Sequence, residues 1–135
     1  MVLNEQRITI IMVRKGRNRD INEKIKWIGH SLGLFGIRDK DSSCYRLFVE
    51  LLKSSRTSEP LPSDEFAYRL GLTRATVIHH MNKLIESGIV VSQHNKYILR
   101  VNRLEQLIEE LRKDMRRAMD ELADTAKQVD EEMKL

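Results

Sequence analysis

Apolar residues recur along this chain with two different periods, and those periods divide it into elements. Arg7 to Lys15 is dense in β-branched residues (Ile8, Thr9, Ile10, Ile11, Val13) and closes in the turn-prone basic run Lys15-Gly16-Arg17-Asn18-Arg19, which predicts a strand with no evident partner. The period then changes to that of a helix. Ile21, Ile25, Ile28 and Leu32 share one face, with Asp20 and Glu23 spaced as a capping box in front and Gly33 as the stop. Trp27 lies off that face, placed to pack against another element. A second helix, capped by Asp39 or Asp41 and running to about Ser54, carries Cys44, Leu47, Phe48, Leu51 and Leu52 along its apolar side.

The loop with Pro60 and Pro62 precedes a third, short helix from Asp64 to Leu70, capped by Ser63 and broken by Gly71. Thr73 caps a fourth, which runs to Glu86, stops at Ser87-Gly88, and turns Val77, Met81, Leu84 and Ile85 inward. Two strand-like runs, Ile89 to Gln93 and Tyr97 to Val101, flank the polar His94-Asn95-Lys96 and predict a β-hairpin. From Asn102 to about Lys134 there is neither Gly nor Pro. Leu104, Ile108, Leu111, Met115, Ala118, Leu122, Thr125 and Val129 recur there in alternating steps of four and three, a heptad seam. Such a helix either pairs with a second copy or folds back over its own body.

Composition narrows the class. With 33% charged residues, only 6 Gly and 2 Pro in 135 residues, the chain is a helix-rich soluble domain with one core rather than a low-complexity polymer. A single cysteine, Cys44, excludes an internal disulfide framework and a multi-thiolate zinc site, and reads as a small buried hydrophobe. The most apolar run, Ile8 to Val13, is far short of the ~20 residues of a membrane span, so no membrane partner is expected and the location is cytoplasmic and nucleoid-associated. The net charge of +4 conceals an asymmetry: Met1 to Val101 has 17 basic and 10 acidic residues (+7), whereas Asn102 to Leu135 has 7 and 10 (−3). A basic body with an acidic tail fits a nucleic-acid partner for the body.

The order helix, helix, turn, helix, hairpin is the winged-helix arrangement, and Leu70 to Val90 resembles the helix-turn-helix of ArsR- and MarR-type transcription regulators. The matching residues are Leu70-Gly71-Leu72-Thr73, Thr76-Val77, His79-His80-Met81, Leu84 and Ser87-Gly88-Ile89-Val90. The resemblance spans about Asp41 to Val101 and leaves the first forty residues unassigned. It implies base or phosphate contacts at Arg74, Ala75, Thr76, Ile78, His79 and Lys83. The helical pattern itself turns Arg74, Ile78, Asn82 and Lys83 away from the core, and Thr73 opens the helix where N–H groups can meet a phosphate. Relatives carry Ser at the positions of Ala75 and Ile78, so fewer polar base contacts are expected here. His94, Asn95 and Lys96 at the wing, with Arg100 at its base, suit phosphate or minor-groove contact.

The expected fold is therefore mainly α with a small β-hairpin wing. It comprises an N-terminal strand-helix extension (residues 1–38), a winged helix-turn-helix (39–101) and a long C-terminal helix (102–135) that forms a coiled-coil homodimer through Leu104, Ile108, Leu111, Met115, Ala118, Leu122 and Val129. The expected function is a dimeric, sequence-specific regulator of transcription that binds double-stranded DNA; a winged-helix protein-interaction module, using Ile78 and the N-terminal strand, is the alternative. Adjacent His79 and His80 point about 100° apart on a helix and make a poor metal pair. No phosphate loop, nucleophile elbow or HExxH pattern occurs, so no enzyme, cofactor or metal is expected. The operator, the sign of regulation and any effector ligand are not encoded in these patterns.

Overall fold

A computed structural model of the chain describes residues 5–17, 20–36 and 41–134. Five helices and a three-stranded antiparallel sheet follow in the order α1 (Ile21–Ser31), α2 (Ser43–Ser54), a 3-10 turn (Ser55–Thr57), β1 (Leu61–Pro62), α3 (Ser63–Leu70), α4 (Arg74–Ser87), β2 (Val90–Gln93), β3 (Lys96–Leu99) and α5 (Leu104–Glu132). This is a winged helix followed by a long C-terminal helix.

One core holds it together. Leu47, Phe48 and Leu51 of α2, Phe66 of α3, Val77, Met81 and Leu84 of α4, Ile89, Val90 and Leu99 of the hairpin, and Leu107 and Leu111 of α5 are buried in a single cluster. Burying a side chain of this size contributes about 1.5 to 3 kcal/mol, against about 0 to 1 kcal/mol for a surface ion pair. Val77, Met81 and Leu84 therefore decide which face of α4 turns inward. His80 lies beside them, sharing a 2.6 Å hydrogen bond with Ser43 Oγ at the start of α2.

Local chemistry sets the boundaries. Asp20 Oδ1 accepts the Glu23 N–H (2.8 Å) to open α1. The cap position of α2 is Ser42, in the left-handed region at φ 54°, rather than Asp41, while Asp39 falls outside the described residues. At α3 the cap is Pro62, and the expected cap Ser63 is instead the first, buried helical residue. Gly71 (φ +65°) makes the turn between α3 and α4, where Arg46 Nη2 donates to the Leu70 carbonyl (2.6 Å) and the Leu72 N–H to that of Ala67 (3.0 Å).

The hairpin loop is one residue shorter than expected. His94 and Asn95 both have positive φ (52° and 63°), as a two-residue type I′ turn requires, and Lys96 already belongs to β3, opposite Gln93. Leu61 and Pro62 add a third strand against Tyr97 and Lys96, in the order β1-β3-β2. The sequence reading placed this stretch in a loop. Pro62 is tolerated because it sits on an edge strand, where its missing donor breaks no ladder.

The N-terminal segment differs most from expectation. Residues 7–15 form no strand ladder; the Arg7 N–H donates to the Glu86 carbonyl (3.0 Å) and the Ile11 N–H to that of Ser31 (2.7 Å). Both acceptors are in last turns of helices, where carbonyls lack intrahelical donors. The segment is thus a strap across two helix ends, not a sheet strand.

Gly88 closes α4 at φ +87°, donating to the Ile85 and Leu84 carbonyls, with the Gln6 side chain against the space a Cβ would fill. Gly88→Ala is expected to destabilise the fold by at least the ~1 to 2 kcal/mol of a left-handed non-glycine residue. An unchanged urea midpoint would contradict this.

Candidate nucleic-acid interface

Because α4 commits Val77, His80, Met81 and Leu84 inward, two rows remain outside. Arg74, Ile78 and Asn82 form one and Ala75, His79 and Lys83 the other, each stepping by four residues. Arg74, Ala75, His79, Asn82 and Lys83 are exposed, and Thr76 and Ile78 are half-buried. The Thr73 hydroxyl accepts the Thr76 N–H (3.1 Å) and donates to the Thr76 hydroxyl (2.8 Å), so these two side chains serve the cap first. His79 and His80 diverge, one exposed and one buried.

Arg74 is not idle in the unliganded chain. Its Nε lies 3.6 Å from Asp64 Oδ1 of α3, both side chains being largely exposed. A pair of this type is worth about 0 to 1 kcal/mol and yields readily to a competing anion. One turn beyond Asp64 on the same face of α3, Tyr68 is 85% exposed. Sequence reasoning passed over Tyr68; its signal was an aromatic one turn from Asp64 on the face of α3 opposite Phe66.

The turn residues His94 and Asn95 and the first β3 residue Lys96 are all exposed at the tip of the hairpin. Arg100, at its base, belongs elsewhere. Its guanidinium meets Asp114 of α5 through Nη1 to Oδ2 (2.6 Å) and Nη2 to Oδ1 (3.3 Å), with Glu110 at 3.4 Å. The expectation of a phosphate contact at Arg100 is corrected accordingly: its charge is spent on the arm.

Asp114 is 6% exposed and collects two further donors, Gln6 Nε2 (2.8 Å) and Arg117 Nη2 (3.1 Å). Gln6 also donates to the Ser87 carbonyl at the end of α4 (3.3 Å). The Arg100 hydrogen bond, opposed by burial and aided by Gln6 and the charges of Arg100 and Arg117, holds the Asp114 carboxyl below its ordinary pKa. Sequence reasoning also missed this residue. Leu107, Leu111 and Asp114 step by four and three, so the readable signal was a carboxylate continuing a core-facing row.

The structure divides the heptad seam at this point. Leu111 is in the core and Leu104 and Ile108 pack against it, so these three serve the chain's own body. Beyond Asp114 every described residue of α5 is exposed, including Met115, Ala118, Met119, Leu122, Thr125 and Val129. Eighteen residues of helix, Met115 to Glu132, extend about 27 Å past the body at ~1.5 Å each.

A helix-turn-helix domain family matches residues 41–93, the stretch from the approach to α2 through the end of β2. No characterised protein and no solved structure matches the chain. A helix-turn-helix presents its second helix to DNA, and the matched region contains α3, its turn and α4; fold and match together support a DNA-binding regulator. Among the described residues, no helix is long and apolar enough to cross a membrane.

Asp114→Ala strands the partly buried Arg100 and is expected to cost about 1 to 3 kcal/mol. The lowered pKa has a definite sign. The Asp114 contribution is fully present above the ordinary aspartate pKa of about 3.9 and is lost as pH falls through the lower, folded value. Stability measured from pH 6 down to pH 2 should therefore fall less steeply in Asp114→Asn than in the parent; parallel curves would refute the assignment.

Proposed function

We propose that this protein is a dimeric, sequence-specific DNA-binding regulator of transcription of the ArsR/MarR type, with α4 entering the major groove. The observation that carries the reading is the division of α4: its apolar row is consumed by the core, and its outward rows, with Arg74, Ala75, Ile78, His79 and Lys83, are left open to a ligand. Arg74 can present a bidentate fork to guanine, worth ~1 to 3 kcal/mol of discrimination, and Ala75 or Ile78 can meet a thymine methyl. Thr73 and Thr76 fix the helix start against the phosphates, while His94, Asn95 and Lys96 reach the backbone or minor groove beside it.

Dimerisation supplies the second half-site. The exposed row Met115, Ala118, Leu122 and Val129 on the projecting part of α5 is the surface on which a second copy packs. Two α4 helices related by a two-fold axis read half-sites about 34 to 36 Å apart. The reading places the protein in the cytoplasm, on the nucleoid, acting by binding rather than by catalysis.

Selection from random duplexes is the deciding experiment, and a palindromic consensus is expected. Failure of the intact protein to bind any duplex at low salt would refute the reading. Arg74→Ala should flatten the preference at one position of each half-site by about 1 to 3 kcal/mol. Lys96→Ala should instead weaken all sequences alike and make the slope of log affinity against log salt shallower by ~0.9 unit per protomer. Leu122→Lys with Val129→Lys should leave the fold intact and yield a monomer by sedimentation; a persisting dimer would place the interface elsewhere.

A further inference from the structure

The positive charge of the body is not concentrated in the helix-turn-helix. Residues 1–40 hold 9 basic and 4 acidic residues, whereas residues 41–101 hold 8 and 6. Most of the excess therefore lies in the N-terminal extension, which the reading above leaves without a task.

The structure gathers part of that charge into a fixed surface. After crossing the ends of α4 and α1, the strap is pinned to α1 by the Trp27 indole N–H, which donates to the Val13 carbonyl (3.2 Å). Lys15 Nζ then sits 5.3 Å from the centroid of the Trp27 ring, a cation–π contact. Lys15 and Gly16 line a shallow cleft of about 380 Å³ together with Lys24, Trp27 and Ile28 of α1. Arg14 and Arg17 flank Lys15, and all four cations are exposed. Among the described residues no carboxylate forms an ion pair with Arg14, Lys15, Arg17 or Lys24. A free tail would pay ordering entropy on binding; this run is already held in place.

We propose that Arg14, Lys15, Arg17 and Lys24, arranged around Trp27, form a second contact surface for the phosphate backbone of duplex DNA, outside the helix-turn-helix. The inference rests on the DNA-binding reading and adds to it. Duplex DNA is favoured over other polyanions because the strap is tied directly to α4, through the Arg7 N–H on the Glu86 carbonyl and Gln6 on that of Ser87. Eight residues of chain between Arg7 and Lys15 span at most about 29 Å, less than one helical turn of DNA (~34 Å), so the patch stays within reach of the same duplex. The contact is electrostatic and indifferent to sequence, with Trp27 holding the cations rather than reading a base.

Trp27 is the chain's single tryptophan and so reports on this surface alone. Binding of a random-sequence 40-base-pair duplex to the full chain should perturb its emission, and should do so equally in Arg74→Ala. In the variant Arg14→Gln/Lys15→Gln/Arg17→Gln/Lys24→Gln, the melting temperature should stay unchanged because all four side chains are exposed. The slope of log affinity against log salt should become shallower by about 3 to 4 units per protomer, with the ratio of selected to random duplex preserved. A wild-type chain that binds duplex with silent Trp27 emission, and a variant with an unchanged salt slope, would overturn this proposal while leaving the helix-turn-helix reading intact. No duplex binding by the wild type would overturn both. Variant-sensitive binding to phosphatidylserine vesicles, with the duplex slope unchanged, would assign the patch to a membrane surface instead.

Discussion

Asp114 is the point on which three otherwise separate parts of the chain depend. A carboxylate removed from water is costly unless its oxygens are filled, and here two bonds from Arg100, one from Gln6 and one from Arg117 fill them. The donors come from the base of the wing, the N-terminal strap and α5 itself. Their common acceptor therefore fixes the wing against the arm and the strap against both. Gln6 carries the tie one step further, to the last turn of α4. Removing Asp114 would leave each element its own apolar contacts and loosen the angle between them.

The same residue separates two roles along α5. Before it, Leu104, Leu107, Ile108 and Leu111 complete the winged helix's own core; after it, the helix carries apolar side chains with nothing of the described chain over them. A heptad pattern cannot reveal such a change of partner, because a helix packed on its own body and a helix packed on a second copy both demand apolar residues at steps of three and four. The sequence reading took one continuous seam where the structure has two consecutive faces. Leu107, which lies between Leu104 and Leu111 and broadens the first stripe, was the residue that distinguished them.

Legibility elsewhere follows the range of the forces involved. Helices α1 to α4, their glycine stops at Gly33, Gly71 and Gly88, and the Thr73 cap are governed by contacts within four residues, so spacing alone located them. The outward rows of α4 followed from the inward one. Two features failed for want of long-range information. The β-branched run from Ile8 to Val13 has strand propensity, but its donors are taken by the carbonyls of Glu86 and Ser31, and no local pattern states what lies beside a segment. Arg100 looked like a wing cation until its partner, fourteen residues on, came into view.

That reassignment of Arg100 changes how the charge of the chain must be understood. Of the eight basic residues between 41 and 101, Arg46 holds a helix-end carbonyl, Arg69 bridges Glu65 and Glu50, Arg74 leans on Asp64 and Arg100 is held by Asp114. Half of the winged helix's cations thus have intramolecular work, and only the Asp64 pair is weak enough to be exchanged for a phosphate at little cost. Non-specific affinity for a duplex grows with the number of phosphates neutralised, at ~0.9 unit of salt slope each, so a face with few unpaired cations reads sequence better than it grips the backbone. A chain built this way needs its grip supplied from outside the recognition face, by a second protomer, by additional cations, or by both. The exposed end of α5 and the pinned basic run around Trp27 are the two places where this fold provides them.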